Sequence, residues 1–350
     1  MSNYWRDRSV LVTGAGGFVG SHLVEALALR GARVTAWVRA GSGGHGWRLV
    51  PILDTGGFRI DIQHVDVGDG ESVHAALNDA FRSTPPSVIF HLAAQAHVGE
   101  SWKRPHDSLR TNIDGTFNLL KDVGVRKWDG VVKRIVVAGS SEEYGGVATG
   151  QNDAHSPLAP RSLYAFTKVA QDGLAMMYWR AQGLPCIVAR ANNIYGPAQG
   201  ARYLTPTILT QALEWKHVKL GSGDARRDFT YVGDAVDAYL ALGESGTPGE
   251  TYTWGWGTSW SVREWAAMGL AAAAKAQGHP VTNYDVQFDV PGRGRPATSE
   301  VSDLVADPSR IRMELGWEPK VDPVEGLRRT AMWYAEPENR PWWLAEVDWR

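Results

Sequence analysis

The stretch Val10–Gly20 reads Val-Leu-Val-Thr-Gly-Ala-Gly-Gly-Phe-Val-Gly, a short β-branched run that leads directly into a glycine-rich turn. Residues Ser21–Arg30 follow at helical spacing. Glycines let a chain turn tightly and approach a pyrophosphate, whose negative charge then lies at the positive end of the next helix. The order of strand, turn and helix therefore predicts a dinucleotide-binding unit. The residues expected at the cofactor are Gly14, Gly17, Phe18, Val19 and Gly20.

The rest of the chain extends this pattern, because short apolar runs alternate with longer segments of helical period. Such alternation is typical of βαβ units and of a parallel sheet covered by helices on both faces. The strands predicted before residue 195 are Val10–Thr13, Arg33–Val38, Ile60–Val65, Val88–Leu92, Arg134–Ala138 and Cys186–Ala189. We expect an α/β, doubly wound parallel sheet (Rossmann) over residues 1–190, with later returns to the sheet at about 225–255. Residues 191–350 are expected to form mainly a smaller C-terminal substrate-binding lobe.

Composition excludes several classes of protein. The 36 Lys and Arg are balanced by 38 Asp and Glu, which argues against a nucleic-acid partner. The single cysteine, Cys186, permits no intramolecular disulfide and fits a reducing, cytoplasmic location, where we expect it to be a buried core residue. No apolar run approaches the ~20 residues of a membrane helix. His91, His97 and His155 lack any spacing that indicates a metal site.

The second predicted strand ends in Trp37-Val38-Arg39, at the place where NAD-binding chains carry a carboxylate for the ribose 2′-hydroxyl. The guanidinium of Arg39 suits a 2′-phosphate instead, so we expect NADP rather than NAD. An arginine at the start of a loop is also compatible with a merely solvated side chain. Asp66 and Val67, after the third strand, are candidates for holding the adenine edge or for a simple turn before a helix.

Tyr164 and Lys168 lie four residues apart in a predicted helix that follows the proline-rich stretch Pro157–Pro160. This spacing puts both side chains on one helix face. A nearby ammonium favours the phenolate, so Tyr164 is a candidate general base, and Lys168 is expected also to bind the cofactor ribose. Pairs at this spacing are common on surfaces, but the glycine turn upstream favours the catalytic interpretation.

The segment Ser140-Ser141-Glu142-Glu143-Tyr144-Gly145 follows the fifth predicted strand, at the edge of the sheet where ligands bind in such folds. With it, the sequence resembles the extended short-chain dehydrogenase/reductases of the NAD-dependent epimerase/dehydratase family, which act on nucleotide sugars. The matching pieces are the glycine turn, Asp66-Val67, His91–Gln95, Thr111-Asn112, Tyr164 with Lys168, Arg190–Pro197, Arg227–Phe229 and Leu315–Trp317.

The resemblance implies roles for individual residues. Ser140 would hydrogen-bond the 4-oxygen of the sugar while Tyr164 removes its proton and a hydride leaves C4. The residues implied in holding the diphosphate are Asn193, Arg227 and Arg295, with Arg293 as an alternative, and those implied at the cofactor include Ala93 and Ala94. Arg227, like its neighbour Arg226, is also compatible with a surface ion pair to Asp224 or Asp228. The family further implies a homodimer through helices that include the one bearing Tyr164.

Glu142 separates the subclasses, because 4,6-dehydratases of this family carry a carboxylate there and epimerases commonly lack it. Once C4 is a ketone, a carboxylate can remove the acidified C5 proton and protonate the leaving C6 hydroxyl. Many dehydratases place Asp immediately before this Glu as the acid, whereas this chain has Ser141, like members that use one Glu for both transfers. Glu143 is expected to point away from the target of Glu142, as in an extended segment.

The favoured prediction is an NAD(P)-dependent nucleotide-sugar 4,6-dehydratase. The alternatives are an epimerase or decarboxylase of the same family, a 4-keto-6-deoxy-sugar reductase, and a non-catalytic nucleotide-binding module.

Overall fold

The computed structural model describes residues 3–40, 45–125, 130–146, 150–281 and 284–344. Its strands are β1 Ser9–Thr13, β2 Arg33–Val38, β3 Arg59–His64, β4 Val88–His91, β5 Arg134–Ser140, β6 Cys186–Ala191, β7 Asn193–Tyr195, β8 His217–Lys219, β9 Arg226–Arg227, β10 Phe229–Tyr231, β11 Thr251–Trp254, β12 Trp260–Ser261, β13 Asp285–Gln287 and β14 Asp303–Leu304. Its α-helices are α1 Phe18–Leu29, α2 Val50–Asp54, α3 Gly70–Ser83, α4 Val98–Lys103, α5 Pro105–Ser108, α6 Gly115–Val125, α7 Leu163–Gln182, α8 Leu204–Trp215, α9 Val232–Ser245, α10 Val262–Gln277, α11 Ser309–Leu315, α12 Pro323–Ala335 and α13 Arg340–Leu344.

The central sheet has seven strands in the order β11-β6-β5-β4-β1-β2-β3, and every neighbouring pair is parallel. The order reverses beside β1, since β2 and β3 lie on one side of it and β4 lies on the other. In open α/β sheets a ligand crevice forms outside the carboxyl ends of the strands at such a switch point. The predicted doubly wound parallel sheet is therefore confirmed, and its crevice opens where the glycine turn leaves β1.

The six predicted strands are all present, with ends displaced by one or two residues at most. The expectation that each is buried on both faces is wrong for β3, whose residues are exposed or half-buried because it forms one edge of the sheet. At the opposite edge, β11 pairs with β6 through a register that joins Thr251 to Val188.

Two apolar cores cover the two faces of the sheet. Alternate residues of β1 divide between them, as Val10 and Val12 face the core with α1 and α9, whereas Leu11 faces the core with α3, α6 and α7. Each such side chain, fully buried, contributes about 1.5–3 kcal/mol to stability. Cys186 belongs to the second core and is 0% exposed, and burial raises the pKa of its thiol to about 12, so the prediction of an inert core cysteine is confirmed.

A third core lies outside the central sheet, between α8, α10 and α12. Its centre is Trp265, whose ring stacks on Phe229 at 3.9 Å between centroids and whose Nε1 donates to Thr205 Oγ1 at 2.9 Å. Strands β7 and β10 pair beside this core, through a register that joins Asn193 to Phe229. The smaller sheets β12-β9-β14 and β13-β8 complete this part of the chain.

A tryptophan stack joins the segment after β2 to the last described helices. Trp47 lies 5.4 Å from Trp342, with 11° between the ring planes, and 6.2 Å from Trp333. Arg48 adds a hydrogen bond from Nε to the carbonyl oxygen of Ala198 at 2.8 Å. Across the described ranges, no helix has both the length and the apolar character that crossing a membrane requires.

Candidate active site

The glycine turn between β1 and α1 has room for backbone atoms only. Gly14 adopts φ +68°, and a Cβ there would lie 2.7 Å from the backbone nitrogen of Ala93. A Cβ on Gly20 would collide with the carbonyl oxygen of Gly14. The first turn of α1 reads Phe-Val-Gly-Ser and carries no acidic side chain, so nothing there neutralises the positive end of the helix. These features fit the pyrophosphate of a dinucleotide.

A set of buried, hydrogen-bonded side chains lies beneath the crevice, around His91. His91 Nδ1 lies 2.8 Å from Thr13 Oγ1, and His91 Nε2 lies 3.0 Å from Thr116 Oγ1. The Thr13 hydroxyl also accepts a hydrogen bond from the Ala93 N–H at 3.2 Å. Burial lowers the pKa of His91 to about 3, so the ring is neutral. His91 is thus the expected core histidine, and the described residues contain no His, Cys, Asp and Glu group able to hold a metal ion.

The predicted adenosine-side residues lie at the other rim of the crevice. Arg39 follows β2 and is exposed. Asp66 accepts hydrogen bonds from the Gly68 N–H at 3.0 Å and from Arg110 Nη2 at 2.7 Å. Asp66 therefore stabilises the turn before α3, and Val67 beside it is buried. A contact of these residues with the adenine edge stays a prediction.

Ser140 and Tyr164 meet where β5 ends against α7. The Ser140 side chain accepts a hydrogen bond from the Glu142 N–H at 3.2 Å and is itself hydrogen-bonded to the Tyr164 phenol. Residues 141–144 form a 3-10 turn rather than the expected extended segment. The hydroxyl of Ser162 accepts from the Ala165 N–H at 3.0 Å, which starts α7 one residue before Tyr164. The structure thus brings the predicted catalytic hydroxyls together.

Burial dominates the environment of the Tyr164 phenol. Burial raises the pKa of Tyr164 above its usual value, and the carboxylates of Glu142 and Glu143 raise it further, while the bond to Ser140 lowers it. The Nζ of Lys168 donates to the Ala138 carbonyl oxygen at 2.8 Å and lies 5.9 Å from the centroid of the Tyr164 ring. Burial also lowers the pKa of Lys168 to about 8.

Glu142 faces the crevice and binds an arginine from the other end of the chain. Its Oε1 accepts from Arg295 Nη1 at 2.7 Å, and both side chains are mostly buried. Arg227 donates to the Val301 carbonyl oxygen at 2.7 Å and to Glu300 Oε1 at 3.1 Å. The acidic partner of Arg227 is therefore Glu300, and neither Asp224 nor Asp228 fills that place.

Of the other residues predicted to hold the diphosphate, Asn193 and Arg295 lie near Arg227 and Tyr164, whereas Arg293 is at the surface. Asn193 is beside Arg227, since its N–H donates to the Asp228 carbonyl oxygen at 3.0 Å. Arg293 is exposed, whereas Arg295 lies close enough to Tyr164 for their charges to interact. The structure thus groups Ser140, Glu142, Tyr164, Arg227 and Arg295 around one crevice.

Sequence reasoning missed several residues of this region. Tyr203 packs edge-on against His97 at 5.4 Å between centroids, and it contributes to the raised pKa of Tyr164. Glu143, Asp172 and Arg190 form a buried charged cluster behind Ser140. Only Asp172 carried a signal, because it follows Lys168 by four residues on the same helix face.

Known proteins share this fold. The family model described as GDP-mannose 4,6 dehydratase matches residues 11–330. The chain is 33% identical over 345 residues to a dTDP-glucose 4,6-dehydratase of Streptomyces niveus, covering 95% of this chain and 94% of the relative. A crystal structure of a dTDP-glucose 4,6-dehydratase from Streptomyces venezuelae with NAD bound aligns with a TM-score of 0.81 at 29% identity, over 96% of this chain and 98% of that one. A Thermus thermophilus UDP-glucose 4-epimerase in complex with NAD aligns with a TM-score of 0.78 at 29% identity, over 93% and 98%. The chain therefore belongs to the GDP-mannose 4,6 dehydratase family, within the extended short-chain dehydrogenase/reductases that act on nucleotide sugars.

Proposed function

We propose that this chain is a nucleotide-sugar 4,6-dehydratase, which removes water from a nucleoside-diphosphate hexose with the help of a nicotinamide dinucleotide that it regenerates in each cycle. One observation carries the proposal above all. The Glu142 carboxylate lies on the same side of the crevice as the hydrogen-bonded Ser140 and Tyr164, where a reaction that starts at C4 needs a second acid or base. The names of the relatives support the same reaction class.

The cofactor is proposed to lie along the glycine turn, with its nicotinamide near Tyr164. When bound, it supplies an acceptor for the C4 hydride and returns that hydride to C6. Gly14, Gly17 and Gly20 admit the pyrophosphate, and Lys168 is placed to bind the ribose once it leaves the Ala138 carbonyl. The structural neighbours were solved with NAD. The choice of NADP, predicted from Arg39, stays a prediction.

Tyr164 is proposed to accept the C4 hydroxyl proton. Because burial raises its pKa, its phenolate is a strong base that forms only when a cation approaches. Lys168, on the same face of α7, is that cation. Ser140 holds the substrate oxygen between its own hydroxyl and the phenol, so that proton transfer follows a fixed path.

Glu142 is proposed to carry out the elimination. It takes the C5 proton made acidic by the C4 ketone, and it returns a proton to the C6 hydroxyl, which leaves as water. Arg295 orients the Glu142 carboxylate before substrate arrives. Ser141, in place of an aspartate, has no acidic proton to give at neutral pH, which leaves Glu142 with both transfers. Arg227 and Asn193, on the lobe built around Trp265, are proposed to hold the diphosphate.

A second candidate function is decarboxylation of a nucleotide-linked uronic acid. Arg295 favours it, because a guanidinium beside Glu142 is placed to bind a C6 carboxylate as a fixed fork of donors. This reaction would also begin with oxidation at C4, in which Ser140 and Tyr164 take the proton of the C4 hydroxyl.

The test is a panel of UDP-, GDP-, CDP- and dTDP-linked hexoses and uronic acids, incubated with the purified protein and followed by mass spectrometry. Loss of one water without added reductant supports the dehydratase. Loss of carbon dioxide supports the second candidate, an isomer of unchanged mass indicates an epimerase, and consumption of NADPH in proportion to product indicates a reductase. No product from any substrate would leave only the non-catalytic nucleotide-binding module.

The protein is also proposed to form a homodimer through α6 and α7, which pack side by side. Both helices expose large apolar side chains, with Phe117 at 41%, Phe166 at 51% and Met177 at 44% exposure. Analytical ultracentrifugation measures the oligomeric state, and we expect a dimer for the wild type and a shift towards monomer for Phe166→Glu. A monomeric wild type contradicts it.

A further inference from the structure

A second set of charged side chains lies beside the active site and is almost fully buried. Glu143 is 0% exposed, Asp172 4% and Arg190 6%. Arg190 Nε lies 2.8 Å from Asp172 Oδ2 and 3.1 Å from Glu143 Oε2. The reaction proposed above uses none of these three residues, so their presence needs a separate explanation.

If both carboxyl groups are ionised, one oxygen of each has no hydrogen-bond donor. Among the residues that the structure describes, Glu143 Oε2 and Asp172 Oδ1 have no hydrogen-bond partner. One guanidinium nitrogen faces both carboxyl groups, and two ionised carboxylates in a sealed space repel each other strongly. A single proton between the two side chains supplies the missing donor and removes one charge. Burial, together with the adjacent Asp172, raises the pKa of Glu143 well above its usual range.

Glu143 also reaches back to the residue that carries the catalytic hydroxyl. Its Oε1 accepts a hydrogen bond from the Ser140 N–H at 2.6 Å, and its own carbonyl oxygen accepts from the Ala159 N–H at 2.9 Å. Because the Ser140 hydroxyl caps the same 3-10 turn, these contacts fix the hydroxyl relative to Tyr164. Packing leaves little freedom, since a Cβ on Gly139 would lie 3.0 Å from Glu143 Oε1.

We propose that Glu143 is a positioning residue for Ser140 and that it acts as a neutral carboxylic acid, sharing one proton with Asp172. The positioning role rests on the proposed function, because the place of the Ser140 hydroxyl matters only if the site oxidises a sugar. The shared proton does not depend on that function. The titratable and charged groups that face Glu143 are Asp172, Lys168 and Tyr164 on α7, Arg190 on β6 and Tyr144 on the same turn.

Glu143→Gln and Glu143→Leu form a matched pair for the positioning role. Glutamine keeps an acceptor for the Ser140 N–H and a donor for Asp172 without a charge, whereas leucine fills a similar volume with neither. We expect the glutamine variant to keep kcat within about twofold, and the leucine variant to lose roughly tenfold in kcat with little change in KM. A glutamine variant as impaired as the leucine variant would show that an ionised Glu143 is needed. A leucine variant with wild-type kcat would remove the positioning role.

Thermal unfolding against pH tests the shared proton without any substrate. A carboxyl group whose pKa is raised on folding binds more protons in the folded than in the unfolded chain above its model value of 4.5, so it costs stability as pH rises. We therefore expect the melting temperature of Glu143→Gln, relative to that of wild type, to rise as the pH increases above about 5. The gain should shrink when both proteins also carry Asp172→Asn, which removes the neighbouring anion.

A difference in melting temperature that stays constant with pH would overturn the shared proton. If wild type converts no nucleotide sugar, the proposed function fails, and the melting curves still decide whether Glu143 is neutral.

Discussion

Glu142 and Glu143 are adjacent in the sequence, yet they lie in opposite environments. Glu142 faces the crevice with Arg295, whose side chain is 26% exposed, whereas Glu143 is sealed against Arg190, whose side chain is 7% exposed. The 3-10 turn separates them, because successive residues in such a turn differ by about 120° in direction. Two identical carboxyl groups thus become a reactive group and a structural one according to their cation and their access to water.

The largest effect should separate the two carboxyl groups by activity. In Glu142→Gln we expect the sugar to be oxidised at C4, seen as a persistent reduced-nicotinamide absorbance, while formation of dehydrated product falls by about 10²–10⁴-fold. Glu143→Gln is the matched control, since it makes the same change one residue away and should keep nearly full turnover. Full turnover by Glu142→Gln would take that residue out of the mechanism.

The next effect should separate the two arginines by stability. Arg190→Met leaves Glu143 and Asp172 buried without a cation, and we expect the free energy of unfolding in urea to fall by about 3–5 kcal/mol. Arg295→Met should cost on the order of 1 kcal/mol, because the Arg295 side chain is 26% exposed and water can replace it beside Glu142. Equal losses in the two variants would contradict the distinction between an open side and a sealed one.

A third measurement tests how sealed Lys168 is. Its pKa falls from 10.5 to about 8 on burial, so the unfolded chain binds more protons than the folded one between those values. The stability of wild type should therefore rise with pH across this window, relative to Lys168→Met, by up to roughly 3 kcal/mol. Urea unfolding of both proteins at several pH values measures the difference, and parallel curves would mean that water reaches the ammonium.

The smallest effect is expected at the exposed rim. Arg39→Ala should lower the ratio of kcat/KM for NADP to that for NAD by about tenfold, the size of one charge-assisted contact. Arg33→Ala, at the other end of the same strand, is the control and should leave the ratio unchanged. A ratio that Arg39→Ala does not alter would contradict the predicted NADP preference.

The sequence predicts the features that depend on residues close together in the chain, and it misses those that depend on contacts between distant segments. The glycine turn, the strands and the Tyr164–Lys168 pair were visible because each signal lies within one turn or one element. The partner of Glu142 was not, since Arg295 comes from a loop 153 residues away. The sealed cluster also stayed hidden, because it depends on a 3-10 turn where an extended segment was expected and on Arg190 from a different strand.

The tryptophan stack gives the protein an optical reporter of its own. Two indoles stacked 5.4 Å apart in nearly parallel planes couple their electronic transitions, and a fixed, asymmetric pair produces a band in near-ultraviolet circular dichroism. Trp47 lies in the segment that follows β2, close in sequence to the rim where adenosine is expected. Entry of a coenzyme that shifts this segment would change the sign or strength of the band, so its arrival can be followed in the unlabelled protein.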